Sequence, residues 1–199
     1  MQIIGKYLTL FIGTVLLSPS VTVFSIEHET MVRDIIRSKI PMAQKLARSP
    51  VLINAVQLQN AKRLTLESIK KKDQRWIKSG PDDAFKKAMQ ETAAGNVIKL
   101  YLKAKSDIFN EIFLTDNQGA NVTAVPATSD YWQGDEDKFI KAFNNGNGTP
   151  YVGKIEYDKS TNTYAAQISV PVINTGKTIG VLVLGVRLSH VRRVSSSIK

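Results

Sequence analysis

Cysteine is absent from the 199-residue sequence, so no disulfide staples the fold and no thiolate is at hand as nucleophile or metal ligand. Histidine occurs only as His28 and His190, near opposite ends of the chain, which excludes a His-x-x-x-His metal pair and argues against a catalytic dyad. Glycine does not form a phosphate-cradling pattern: Gly146-Asn147-Gly148 lacks both the strand-to-helix context and the following lysine. Acidic residues are in deficit, 17 against 27 Lys plus Arg. Their densest run, Asp135-Glu136-Asp137, has neither calcium-loop spacing nor a neighbour that would split two carboxyls into an acid and a base. These absences point away from an enzyme and away from a bound cofactor or metal.

Long apolar runs are also scarce. The one candidate, Tyr7 to Leu17, spans only about 16 Å as a helix against a hydrocarbon core of about 30 Å. Preceded by Lys6 and followed by Ser18-Pro19-Ser20-Val21-Thr22-Val23-Phe24-Ser25, it has the order of a secretory signal peptide over residues 1–25. The alternative is an uncleaved anchor from Ile3 to Val23, and no cysteine follows that could carry a lipid. Either reading places the remainder outside the cytoplasm, and the lack of cysteine suits a periplasm.

That compartment removes nucleic acid as the partner that a net charge of +10 would otherwise suggest. The charge is also lopsided: 17 basic against 8 acidic residues over 26–106, and nine against nine over 107–199. Lys70-Lys71-Lys72, with Lys62 and Arg63 before it, is the basic run. It reads as a solvated helix face, with anionic lipid headgroups as the sharper alternative.

What is present is ordinary globular composition, 43% hydrophobic and 22% charged, enough for one core. From Glu27 to about Asn60 apolar residues recur at helical spacing (Met31, Ile35, Ile36, Ile40, Ala43, Leu46, Ala47), with a kink expected at Pro41 and a break at Ser49-Pro50. A second helical stretch is expected from Leu52 through Ile77, closed by Ser79-Gly80-Pro81. A third, capped by Asp82-Asp83, is expected to run to about Lys105 with Gly95 weakening its middle.

After Ser106 the texture becomes β-branched and aromatic. Ile108–Thr115 and Ala120–Val125 flank the turn Asp116-Asn117-Gln118-Gly119, and Tyr151–Tyr157 and Thr163–Ile173 flank a second turn. The last strand is Thr178–Leu188, and Pro171 requires a bulge or an open edge in its strand. The long connection Pro126–Pro150 carries a short helix at about Glu136–Phe143 and a flexible tip at Asn144–Gly148. The fold class is therefore α+β: long N-terminal helices, then a five-stranded antiparallel sheet with a helical insertion after strand two.

Three segments, in order, carry a resemblance: Phe113-Leu114-Thr115-Asp116-Asn117-Gln118-Gly119; Thr128-Ser129-Asp130-Tyr131-Trp132-Gln133-Gly134-Asp135-Glu136; and Val170-Pro171-Val172 with Gly176-Lys177-Thr178-Ile179-Gly180-Val181-Leu182. Over Glu27 to Val191 the chain resembles the extracytoplasmic PAS-like sensor domains called Cache or PDC domains. The resemblance implies a helical segment at 26–106 packed on a PAS-like sheet at 107–191, with residues 192–199 as a tail and a small-molecule pocket between sheet and insertion. It also implies a domain set between two membrane spans that drives a kinase, cyclase or chemotaxis module. This sequence shows neither second span nor output module, so signalling would pass through a membrane partner. Homodimerisation through the first helix is the family expectation, supported by the stripe Ile35, Ile36, Ile40, which exceeds what one sheet covers.

The candidate ligand site is the cluster Asp130, Tyr131, Trp132, Asp135, Glu136, Asp137 with Tyr151, of which Tyr131, Trp132, Asp135, Glu136 and Tyr151 are the chosen binding residues. Aromatic faces beside carboxylates suit an amine or quaternary ammonium. The plainer reading has the acids capping the short helix and Trp132 filling core. Relatives that bind carboxylates or amino acids use Arg and aromatic residues before the sheet, and Arg75-Trp76 offers those types, so amine, amino acid and carboxylate all stay open. Tyr157 and Tyr164 read as a cross-strand pair. Two functions follow: a non-catalytic periplasmic small-molecule sensor, or a structural or interaction module that binds no ligand.

Overall fold

The β-branched and aromatic runs form five strands, β1 (Phe109–Thr115), β2 (Asn121–Val125), β3 (Tyr151–Asp158), β4 (Thr163–Asn174) and β5 (Lys177–Arg187). They come from a computed structural model that describes residues 30–158 and 163–197. The segment read as a signal peptide lies outside those residues. All pairs are antiparallel and the sheet order is β2-β1-β5-β4-β3, with β5 in the middle. Tyr157 and Tyr164 are register partners in the β3–β4 pair. Pro171 pairs only with β5, beyond the last β3 partner at Ser169, and the register shifts between Val172 and Ile173. Its missing N–H therefore costs no ladder bond.

Strand alternation divides the sheet into two buried faces. Ile112, Leu114, Ile168, Val170, Leu182, Leu184 and Val186 share one face with Ile35, Ile36, Ala43, Leu46, Leu52, Val56 and Ile98 from the helices. The helices are α1 (residues 30–37), α2 (Ile40–Ala47), α3 (Pro50–Ala61), α4 (Leu66–Lys78), α5 (Ala84–Gln90) and α6 (Ala93–Ala104). The opposite face presents Phe113, Ala124, Val181 and Val183 to Phe139 and Ala142 of α7 (Asp137–Phe143), the helix of the insertion. A third cluster joins Ile69, Trp76, Met89, Ala120 and Tyr131, packing α4 and α5 against the β1–β2 hairpin end. Ile35 and Ile36 are 6% and 2% exposed within the single chain, in a cluster of helix and sheet residues, and Ile40 of the same stripe is partly buried.

Three helix boundaries differ from the sequence expectation. The first break falls at Ser38-Lys39, ahead of Pro41, which takes its natural place in the first turn of α2 where no N–H is needed. The stretch expected as one helix from Leu52 to Ile77 is cut at residues 62–65: Arg63 takes a left-handed conformation (φ +48°) and the Thr65 hydroxyl accepts from Ser68 N–H at 3.2 Å to start α4. The third helix divides likewise. Asp83 caps α5, and Thr92 caps α6 by accepting from Gly95 N–H at 3.0 Å. Gly95 thus sits in a first turn rather than a helix middle. A Cβ on it would lie 2.2 Å from the Gln90 carbonyl oxygen, so close approach of the α5 end requires glycine. The Asn144–Gly148 tip forms a turn closed by Gly148 N–H to Phe143 O at 3.1 Å and Thr149 N–H to Ala142 O at 3.0 Å.

β5 runs without a loop into α8 (Leu188–Ser197), so residues read as a tail continue a helix. His190 of α8 is 9% exposed and its Nε2 has no hydrogen-bond partner among the described residues. Burial, then Lys39, with Arg193 adding, lowers its pKa below the ordinary 6.5, while Asp107 opposes the shift. A histidine whose folded pKa is depressed contributes stability above its unfolded pKa, and that stability is lost as pH falls below it. The urea midpoint of the protein should therefore drop between pH 7.5 and pH 5.5, and His190→Gln should shrink that drop; an unchanged drop in the variant would refute the assignment.

Candidate functional site

The segment from β2 to α7 is anchored from both sides. On the α4 side, Asp73 Oδ1 accepts from two successive backbone N–H groups, Tyr131 at 2.8 Å and Trp132 at 3.0 Å. Trp132 Nε1 donates to the Gln118 carbonyl at 2.8 Å, and Lys70 Nζ stands 4.9 Å from its ring centroid. Tyr131, 1% exposed, packs on Trp76 and Phe85 with centroids 5.9 and 5.8 Å away. Its hydroxyl accepts from Gln59 Nε2 at 3.3 Å, and burial, with the nearby Asp116 carboxylate adding, pushes its pKa up to about 12. Trp76, in the last turn of α4, is 1% exposed, donates Nε1–H to Thr128 O at 2.8 Å and carries Lys86 Nζ 5.0 Å from its ring.

Asp130 is committed to its own loop. Its carboxylate accepts from Gln133 Nε2 at 2.7 Å and Ser129 Oγ at 3.0 Å, and its carbonyl accepts from Thr128 Oγ1, Gln133 Nε2 and Asn121 Nδ2. The side-chain oxygens of Asn121 and Gln133 are buried beside this hub without a hydrogen-bond partner among the described residues.

On the sheet side, register sets one row across all five strands: Ala124, Phe113, Val183, Ser169 and Tyr151. The α7 helix lies over it. Lys138 points its ammonium into this layer, 2.8 Å from Glu136 Oε2 and 5.4 Å from the Phe113 ring, with its side chain only 16% exposed. Burial raises the Glu136 pKa, and Lys138 offsets part of that rise. Lys141 pairs with Asp137 at 2.7 Å and stands 5.0 Å from the Tyr151 ring. Ser169 Oγ is buried with no hydrogen-bond partner among the described residues. In the next row Gln167 Nε2 donates to Glu111 Oε1 at 2.7 Å across Gly185. A Cβ on Gly185 would meet Glu111 Cγ at 2.6 Å and Asn110 Oδ1 at 2.3 Å, so the missing side chain is what lets the two polar groups meet over the central strand.

The structure thus divides the sequence-chosen residues into two places. Tyr131 and Trp132 belong to the α4 side, Glu136 and Tyr151 to the layer under α7, and Asp135 is exposed between them. The faces of Trp132 and Tyr151, read as free for a cationic ligand, already carry the chain's own Lys70 and Lys141. Residues the sequence reading left out are Asp73, Lys138, Ser169, Glu111 and Gln167. A signal existed for the strand residues: Gln167 and Ser169 alternate with Ala166, Ile168 and Val170, which marks them as one face of β4. Among the described residues no group of three or more His, Asp or Glu is placed to hold a metal.

The fold has counterparts among solved structures. The E. coli DcuS sensor domain matches over 84% of this chain and 98% of its own, at TM-score 0.52 and 19% identity. The V. cholerae histidine kinase DctB sensor domain matches over 87% of this chain and 60% of its own, at TM-score 0.44 and 12% identity. The ligand-binding domain of the Pseudomonas aeruginosa PAO1 amino acid chemoreceptor PctC, in complex with GABA, matches over 89% and 66%, at TM-score 0.49 and 14% identity. No family model matches the chain, and no curated protein matches it by sequence. What is shared with the DcuS sensor domain is the fold, helices packed on a five-stranded antiparallel PAS-like sheet.

Removing the Asp73 carboxylate leaves two partly buried N–H groups without an acceptor. Asp73→Ala should cost about 3 kcal/mol, since each bond to a charged group contributes ~1.5–3 kcal/mol and the two share one oxygen. Urea denaturation checks this, and a loss under ~1 kcal/mol would show the contact to be incidental.

Proposed function

We propose that this protein, which has the PAS-like Cache/PDC fold, is a non-catalytic sensor that binds a small molecule between α7 and the sheet and passes its bound state to a membrane partner. The observation that carries the reading is Lys138: a largely covered ammonium above a row of aromatic, apolar and hydroxyl side chains that crosses every strand. Few polar groups converging on an apolar floor are what a small-molecule site needs. Phe113, Val183 and Tyr151 supply the floor, and Ser169 Oγ is a buried hydroxyl with unused capacity.

The ligand this layer suits carries a carboxylate. Such a group would replace Glu136 on the Lys138 ammonium, freeing a carboxyl whose burial already disfavours its charge. An amino acid satisfies the same demand, its ammonium meeting the released Glu136. A purely cationic amine fits less well, because the chain's own lysines stand over the aromatic faces it would use. Extracytoplasmic placement rests on the signal-peptide reading of residues 1–25.

Those same lysines favour the second reading, an interaction module with no ligand, in which Lys138 and Lys141 simply latch α7 to the sheet. A thermal-shift screen of carboxylates, amino acids and amines separates the two. At about a hundredfold excess over Kd a ligand adds roughly 2.7 kcal/mol, a rise of roughly 5–10 °C in Tm for a domain of this size. The sensor reading expects such a rise with a carboxylate or amino acid, lost in Lys138→Gln and kept in Asp135→Asn. No shift across the panel supports the interaction module.

A further inference from the structure

The C-terminal helix is attached to the rest of the molecule by little. Of the ten residues of α8, Val191 reaches the core at 1% exposure, with Leu188 and Val194 partly buried beside it. Arg193 Nη2 donates to Asp107 O at 2.9 Å. No acid stands in the first turn of α8 and no base in its last, so its ends gain nothing from the helix dipole. A helix of this length is marginal by itself, and α8 therefore keeps its shape by being docked.

Into this thin contact the chain places a titratable side chain. His190 is 9% exposed, and its Nε2 is buried without a hydrogen-bond partner among the described residues. The charged groups that act on it are Lys39 between α1 and α2, Asp107 ahead of β1, and Arg193 one turn along α8 itself. Arg187, at the end of β5 and one turn back, directs its Nε–H to the Ser106 and Phe109 carbonyls, and β4 contributes no charged residue. With its proton on Nδ1, the neutral ring leaves only a lone pair idle at Nε2. The imidazolium puts a charged N–H there with no acceptor, beside two cations and one acid.

That cost is relieved by opening the whole domain or by lifting α8 alone. β5 is hydrogen-bonded on both sides, by β1 and β4, and most of the core beneath it comes from other elements, so lifting α8 is by far the smaller opening. We propose that protonation of His190 releases α8 from the sheet while the body of the domain stays folded, which makes the C-terminal helix a proton-responsive element. The ligand reading plays no part in this inference. It also differs from a general loss of stability in acid, which would open β5 together with α8.

Docking is at full strength above the ordinary histidine pKa of 6.5 and weakens as pH falls below it. The test is amide hydrogen exchange of the full chain at pH 7.5 and pH 5.5, corrected for the intrinsic pH dependence of exchange. Protection of residues 188–197 should fall severalfold at the lower pH while that of β5 holds. His190→Gln should abolish the fall, and His28→Gln, which removes the other histidine of the chain, should leave it at full size. If glutamine at 190 itself loosens α8 at both pH values, Lys39→Gln decides: it keeps the histidine and removes a neighbouring cation, so the fall must shrink. Equal α8 protection at the two pH values, a fall shared by β5, a full fall in His190→Gln, or, where that variant is loosened, a full fall in Lys39→Gln would each overturn the assignment.

Discussion

A single carboxylate oxygen of Asp73 receives the N–H groups of Tyr131 and Trp132, and through it α4 is bound to the segment that leads from β2 into α7. Much else depends on that geometry. Because Asp73 turns inward, Trp76 is drawn into the aromatic group with Phe85 and Tyr131, and its indole N–H reaches the Thr128 carbonyl. With Asp73 turned inward, the groove on one flank of that helix, lined by Lys71, Lys72, Arg75 and Lys78, contains no acid. The helical half, with its excess of positive charge, and the neutral sheet half are thus held by a contact that neither half's composition announces.

Lysine has a recurring place in this molecule. Lys70, Lys86, Lys138 and Lys141 each stand about 5 Å from an aromatic ring, and Lys138 and Lys141 each also pair with a carboxylate of α7 or its cap. The ammonium groups thereby cover apolar rings with their stems while keeping a polar partner, a use of the long side chain that counts of net charge do not reveal. It also bears on the reading of the aromatics as a site. Rings beside carboxylates suggest a cationic guest, whereas under the function proposed above, with the protein supplying the cations itself, the complementary guest is an anion.

The strands and their turns were legible because period-two alternation and turn residues such as Asp116-Asn117-Gln118-Gly119 act locally. The α+β class and the order of elements follow from that, and the structure has both. Helix ends were less legible. Arg63 breaks a helix with a positive φ but is neither glycine nor proline, and Thr92 caps one in a stretch whose apolar spacing continues across it. The site was the least legible part, since Lys138 meets Phe113, and Gln167 meets Glu111, only after strands distant in sequence have paired. Trp132 and Tyr151 are conspicuous in sequence as large aromatic residues, yet their surroundings are set by α4 and α7, which no local pattern ties to them.

The passage from β5 into α8 without a loop bears on how the molecule is read from outside. β5 is flanked on both sides, by β1 and β4, and Arg187 at its end is fastened through its N–H to Ile108 O at 2.8 Å and through Nε to Ser106 O at 2.8 Å. A helix leaving an edge strand would swing with that strand alone. Here the departing helix is a stiff pointer mounted on the axle of the sheet, five positions beyond Val183, the midpoint of the row beneath α7. Its starting point is thus fixed by the centre of the β-layer rather than by one margin.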